Sequence, residues 1–311
     1  MAEINLEYIN DLAKRTPEVF VSQSEEAYHN FVSGVADKIC EDKRVRILLL
    51  AGPSGSGKTT TANLIADKIR SQGEECIVVS LDDFYRSFDD PDYPRLTSGA
   101  RDLEAVEALD LPLLRESLAA IADAKAFLLP KYDFKISKRS DMRTHAPMPN
   151  GCVIIEGLHA LSPLIFSAIP PESALKLFIS VSTNVNFNGE RILSGKKIRF
   201  IRRMVRDSLY RNASAERTFS MWKNVLAGED KYLYPNRKYA DICFDTFHPY
   251  ELSVTGKFVV QLISDSFADS DPYVKTVLSA ARRIAQIPLS LVPESSLIRE
   301  FVPGGKYEEL Y

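Results

Sequence analysis

Apolar positions in this chain fall into short unbroken runs, separated by stretches where they recur every three or four residues. The runs cover residues 45–50, 76–80, 152–155, 175–181 and 241–244. Runs of this length suit strands buried on both faces, as in a parallel sheet. After the first run, Ala62, Ile65, Ala66 and Ile69 predict a helix with one buried face, and Gly73 predicts its end. Asp110 predicts the cap of a second helix, with Leu114, Leu118 and Ile121 along one side. Ser22 and Glu25 read as a capping box ahead of Ala27, Phe31, Val32, Val35 and Ile39. The N-terminal helix so predicted packs on the sheet, since roughly 44 residues are too few for a core of their own. Residues 86–100, rich in Asp, Pro, Ser and Gly, predict a loop. Val274, Val277, Leu278 and Ala281 predict a late helix, and Pro288, Pro293 and Pro303 punctuate the chain beyond it.

Strands alternating with helices predict an α/β fold, its mostly parallel sheet covered on both faces. The expected organisation is a helical N-terminal extension over 1–44, a main domain over 45–268 and a C-terminal extension over 269–311. Ligands in such folds sit beyond the carboxyl ends of the strands, where Thr59, Asp82 and Glu156 all fall.

Composition narrows the classes without choosing one. The 311 residues are 45% hydrophobic and 26% charged, as in ordinary globular proteins. A net charge of −3 argues against a general nucleic-acid surface. No apolar run approaches the ~18 residues of a membrane span, and the N-terminus lacks the basic-then-apolar pattern of a signal peptide. Cys40, Cys76, Cys152 and Cys243 make no C-x-x-C pair; three lie in the apolar runs, where a free cysteine acts as a small buried hydrophobe. A reduced, cytoplasmic protein is expected.

The chemistry centres on Gly52, Pro53, Ser54, Gly55, Ser56, Gly57, Lys58, Thr59 and Thr60, which satisfy G-x-x-x-x-G-K-[ST] between a strand and a helix. The glycines allow a tight turn and close approach to a triphosphate, while backbone N–H groups at the helix start point at its oxygens. Lys58 brings charge to the β- and γ-phosphates, and the Thr59 hydroxyl is a hard ligand for Mg²⁺. Asp82 or its neighbour Asp83, at a strand end, suits a metal ligand or the base for an attacking hydroxyl. Glu156 suits the metal, directly or through water. A basic segment comes later in the chain, with Arg199, Arg202, Arg203 and Arg206 at helical spacing. It reads as a mobile lid over about 186–230 that brings guanidinium groups to the phosphates, against the alternatives of a solvated helix face or a basic patch for nucleic acid. Tyr85, Tyr132 and Phe134 suit either a substrate ring or core packing.

Together these motifs resemble the uridine kinase and phosphoribulokinase family of P-loop kinases. The resemblance rests on residues 52–60, Ser80-Leu81-Asp82-Asp83-Phe84-Tyr85, Leu129-Pro130-Lys131-Tyr132-Asp133-Phe134 and Ile155-Glu156-Gly157-Leu158-His159. Arg202-Arg203-Met204-Val205-Arg206-Asp207 is similar to the family's arginine lid, and residues 214–230 resemble a bacterial uridine-kinase-like subgroup. The match spans about residues 45–250. It implies a P-loop NTPase three-layer fold with a five-stranded sheet, and ATP- and Mg²⁺-dependent phosphorylation of a small-molecule hydroxyl, most simply the 5′-hydroxyl of uridine or cytidine. By the same resemblance Asp82 is the general base, Thr59, Asp82 and Glu156 attend the metal, and Lys58, Arg206 and Arg211 hold phosphates. Tyr85, Tyr132, Phe134 and Glu107 line the acceptor site, Glu107 standing where the family has a ribose-binding Asp. Ser137 replaces the family's pyrimidine-reading His. A kinase for another alcohol, of phosphoribulokinase or pantothenate kinase type, stays open, as does a non-catalytic nucleotide-binding regulatory module. The partners so implied are a small-molecule acceptor and a second copy of the chain in a homo-oligomer, with neither nucleic acid nor membrane.

Overall fold

The strand leading into the glycine-rich loop is buried at every position, and its side chains alternate between two separate apolar cores. Leu48 and Leu50 join one core, and Ile47, Leu49 and Ala51 the other. That alternation follows from the two-residue strand repeat and puts a helical layer on each face of the sheet. The structure is a computed structural model, describing residues 2–97, 99–102, 104–133, 136–167 and 169–310.

In chain order, a three-residue strand β1 (Glu3–Asn5) precedes helices α1 (Leu6–Arg15) and α2 (Pro17–Glu41). Strand β2 (Ile47–Ala51), helix α3 (Lys58–Ser71), strand β3 (Cys76–Ser80) and helix α4 (Leu111–Ala122) come after them. A hairpin of β4 (Phe127–Asp133) and β5 (Lys138–His145) leads to β6 (Cys152–Glu156), the short helix α5 (Pro163–Phe166) and β7 (Ala174–Ser180). Next come the strand pair β8 (Asn184–Phe187) and β9 (Glu190–Leu193), helices α6 (Gly195–Arg211) and α7 (Ala215–Gly228), and strand β10 (Ile242–Asp245). The chain closes with α8 (Glu251–Leu262), α9 (Asp265–Ser270) and α10 (Pro272–Ala281), then 3₁₀ turns at Leu289–Leu291 and Leu297–Glu300.

The main sheet has five strands in the order β10-β7-β2-β6-β3, every neighbouring pair parallel. All five expected runs lie in it, so the three-layer α/β reading stands. Asp110 caps α4 by accepting from the Leu113 N–H at 3.2 Å. Gly73 lies just past the end of α3 with φ +87°, the left-handed turn that ends a helix.

Two expectations need correction, and two small sheets lie outside the expected pattern. Helix α2 begins at Pro17, so Ser22 and Glu25 are interior residues and form no cap. Pro favours the first helical position, which sets the earlier start. Glu25 is instead buried, taking hydrogen bonds from the Tyr250 and Ser296 hydroxyls. Cys243 is exposed, because β10 lies at the sheet edge, whereas Cys76 and Cys152 are buried register partners. Strands β4 and β5 escape the apolar pattern, since β5 is polar and exposed along nearly its whole length. The small sheet β1-β8-β9, which ties the N-terminus to the segment before α6, escapes it as well.

Candidate active site

Between β2 and α3 the chain turns so tightly that a side chain is excluded at Gly52 and Gly55. A Cβ on Gly52 would lie 2.4 Å from the Ile179 carbonyl oxygen, and one on Gly55, at φ +74°, would lie 2.9 Å from that of Arg199. The loop is braced from beneath. Arg199 donates to the Ser54 carbonyl at 2.8 Å, Arg202 to that of Gly55 at 3.2 Å, and the Thr246 hydroxyl to that of Ser56 at 2.8 Å. The Ser54 N–H donates to Glu229 at 2.9 Å, and Lys58 Nζ arches back toward the Pro53 carbonyl at 3.4 Å.

The expected row of arginines divides by depth. Arg199 and Arg202 do not face outward: each is at most 1% exposed, ion-paired to Glu229 and Glu251 respectively. Burial pushes the Glu251 carboxyl up to about 7 against the pull of Arg202. These two arginines fix the loop, because helical spacing that alternates between three and four residues puts some positions on the inner face. Arg203 donates to the Ser54 hydroxyl at 2.8 Å. The carboxylate of Asp207 then gathers Arg203, Arg206 and Arg211 at 3.2 to 3.4 Å.

Across the loop lie the carboxylates. Glu156 ends β6 as the register partner of both Leu50 and Ser80. Burial pushes its carboxyl up to about 7, with Lys58 opposing and Asp82 adding to the rise. Asp82 is the second residue of the 3₁₀ turn Leu81–Phe84 after β3, its N–H donating to the Ser80 hydroxyl at 3.3 Å. It keeps solvent contact at the mouth of a concave site. Desolvation by the surrounding walls raises its pKa; Lys58 and Arg211 counter this and Asp83 reinforces it. Asp83 is engaged elsewhere, accepting from the Tyr132 N–H at 3.2 Å and pairing with Lys131 at 3.0 Å. Asp82 therefore faces the cleft while its neighbour anchors the β4–β5 hairpin.

That cleft, about 290 Å³ in volume, is lined by Asp82, Tyr85, Phe88, Tyr93, Glu104, Tyr132 and Ser137. Tyr85 and Tyr132 stand 6.0 Å apart, tilted across it. Glu107 is not part of it. It is exposed on the turn Val106–Ala108, and Glu104, one turn earlier, lines the wall in its place. Phe134 lies outside the described residues. Phe88, Tyr93 and Glu104 escaped the sequence reading because they sit in an aperiodic loop that gives no pattern to read. His159 is buried edge-on to Tyr232, and burial lowers its pKa to about 4, so it is a neutral packing group.

The residues suit a nucleoside triphosphate and a hard cation. Three glycines leave a cradle that a Cβ would fill, and Thr59, Asp82 and Glu156 offer hydroxyl and carboxylate oxygens. Among the described residues no group of three or more His, Cys, Asp or Glu side chains could hold a metal by itself, so phosphate and water oxygens would complete the shell. No helix among those residues is long and apolar enough to cross a membrane.

Comparison with known proteins agrees with this geometry. The phosphoribulokinase/uridine kinase family matches residues 47–253, well over half the chain. A uridine kinase from Lactobacillus johnsonii is 31% identical over 206 residues, covering 65% of this chain and 87% of that protein. One from Borrelia duttonii is 28% identical over 225 residues, covering 71% and 98%. The structure of a D-glycerate 3-kinase from Cryptococcus neoformans var. grubii aligns with a TM-score of 0.49 at 15% identity, over 68% of this chain and 89% of that one.

Proposed function

Because the chain belongs to the phosphoribulokinase/uridine kinase family, and is thus a P-loop kinase that transfers phosphoryl groups to a small molecule, we propose that its donor is ATP with Mg²⁺ and its acceptor the 5′-hydroxyl of uridine or cytidine. The relatives named as uridine kinases support the acceptor. The observation that carries the reading is the position of Asp82: it lines the aromatic cleft and shares its electrostatic surroundings with Lys58 and Arg211. ATP with Mg²⁺ would supply the phosphoryl group and its countercharge. Lys58, Arg206 and Arg211 place positive charge where negative charge develops during transfer. Asp82 takes the proton from the attacking hydroxyl, and the tyrosines hold the acceptor's ring. Thr59, Asp82 and Glu156 present oxygen ligands to the cation.

A second acceptor reading has its own support. Ser137, at φ +54°, lines the cleft and by the resemblance takes the place of the family's pyrimidine-reading His, and Glu104 lines the same cleft as an added acid. Such a wall also suits a non-nucleoside alcohol. The test is ADP release with ATP and Mg²⁺ over uridine, cytidine, other nucleosides, ribulose 5-phosphate and pantothenate. Turnover on uridine or cytidine supports the proposal, and turnover confined to another compound overturns the acceptor. ADP release that no acceptor stimulates, with ATP still bound, points to the regulatory module.

A further inference from the structure

The first turn of α3, where the nucleotide's phosphates are expected, already carries a carboxylate from the far end of the chain. Glu300 Oε2 accepts from the Thr60 hydroxyl at 2.9 Å and from the Thr60 N–H at 3.4 Å. Its other oxygen lies 3.4 Å from Arg206 Nη1. These are the partners a phosphate oxygen seeks: a backbone N–H at a helix start, a hydroxyl and a guanidinium. Glu300 is buried, and so are its neighbours Leu297, Ile298, Phe301 and Val302. Leu297 rests against Gly57, where an added Cβ would come within 2.5 Å of its Cδ1. Phe301 lies beneath the Arg202 guanidinium at 5.1 Å.

The segment holding Glu300 has its own internal framework. Arg299 donates to the carbonyls of Leu289 at 3.0 Å, Val292 at 2.5 Å and Pro293 at 3.4 Å, and also to that of Pro303. This knot keeps residues 289–303 folded by bonds that do not involve the loop or α3. Glu300 can therefore leave Thr60 and Arg206 without unravelling the segment. Arg206 keeps Asp207 as a partner when it does.

We infer that Glu300 is a resident competitor for the nucleotide's phosphates: the contacts it makes with Thr60 and Arg206 are ones it must give up when the nucleotide binds. The inference rests on residues 52–60 being the nucleotide site. Binding is weakened by the fraction of molecules in which Glu300 blocks the turn, so removing its charge strengthens binding.

The experiment is calorimetric titration of the full-length chain with ATP and Mg²⁺, comparing wild type with Glu300→Gln, Glu300→Asp and Lys58→Ala. Glu300→Gln should bind ATP about five- to tenfold more tightly. Glu300→Asp, too short to reach Thr60, should shift the same way. A purely structural Glu300 would lower thermal stability with binding unchanged or weaker, and that result overturns the inference. Lys58→Ala separates the two readings. If it binds ATP like wild type, the site itself is misassigned and the inference falls with it. If it binds weakly while Glu300→Gln matches wild type, only the inference falls. Hydrogen exchange on wild type decides the matter even if a variant fails to fold. ATP should speed exchange across 296–302 by uncovering these buried residues from α3 while their internal framework holds, and slower or unchanged exchange overturns the inference.

Discussion

Arg199 and Glu229 meet in a two-bonded ion pair, at 2.7 and 2.8 Å, from which water is excluded. One oxygen of that carboxylate also receives the Ser54 N–H, so the pair sets the front of the glycine-rich loop. Glu229 lies in a single π-helical turn, Glu229–Leu233, which redirects the chain as α7 ends. Removing one partner strands a buried charge. Glu229→Gln is expected to destabilise the protein by about 3–5 kcal/mol, read by denaturant unfolding. A loss below about 1 kcal/mol would show the pair to be dispensable.

Asp82→Asn should lower turnover by about 10²- to 10⁴-fold, the usual worth of a positioned base. ATP affinity should change little, as measured by titration without acceptor. A folded variant that loses ATP binding instead would make Asp82 primarily a nucleotide or metal residue.

Glu156 sets a pH dependence whose sign follows from its raised pKa. Its carboxyl titrates near 7 in the folded chain and near the ordinary 4.5 when unfolded. Between those values the folded state binds the extra proton, so stability falls as pH rises through that window and levels off above it. Glu251 contributes in the same direction over the same range. Glu156→Gln should flatten part of the slope in chemical unfolding between about pH 5 and 7, while Glu251, left in place, preserves the remainder. An unchanged slope would place the carboxyl's titration outside this window.

Glu104 and Glu107 offer a paired comparison within the acceptor loop. Glu104→Gln should raise the KM for the acceptor about tenfold with the KM for ATP unaltered, roughly the worth of one charged hydrogen bond. Glu107→Gln, at an exposed site, should leave both near wild type. The reverse pattern would restore the assignment that motif alignment suggests.

Those two residues also mark where sequence reasoning stops. The five core strands are legible because burial on both faces leaves unbroken apolar runs. The glycine-rich loop is legible because its backbone tolerates few side chains at Gly52, Gly55 and Gly57. Helical spacing finds the arginines of α6, yet it cannot tell which ones lie inward against Glu229 and Glu251, because those carboxylates come from other elements. Glu300 is further out of reach, joining Thr60 across 240 positions from an aperiodic turn. Contacts of that kind depend on the finished tertiary arrangement and leave no local periodicity.

Asp83 gives the paired carboxylates after β3 a mechanical meaning. By holding the Tyr132 N–H and Lys131, it clamps the β4–β5 hairpin to the peptide that also carries Asp82. With Asp82 as the proposed base, an oversized acceptor that wedges the hairpin outward would pull on that base as well. Strain would then pass along one covalent step, and acceptor analogues of increasing size should lower kcat before they raise KM.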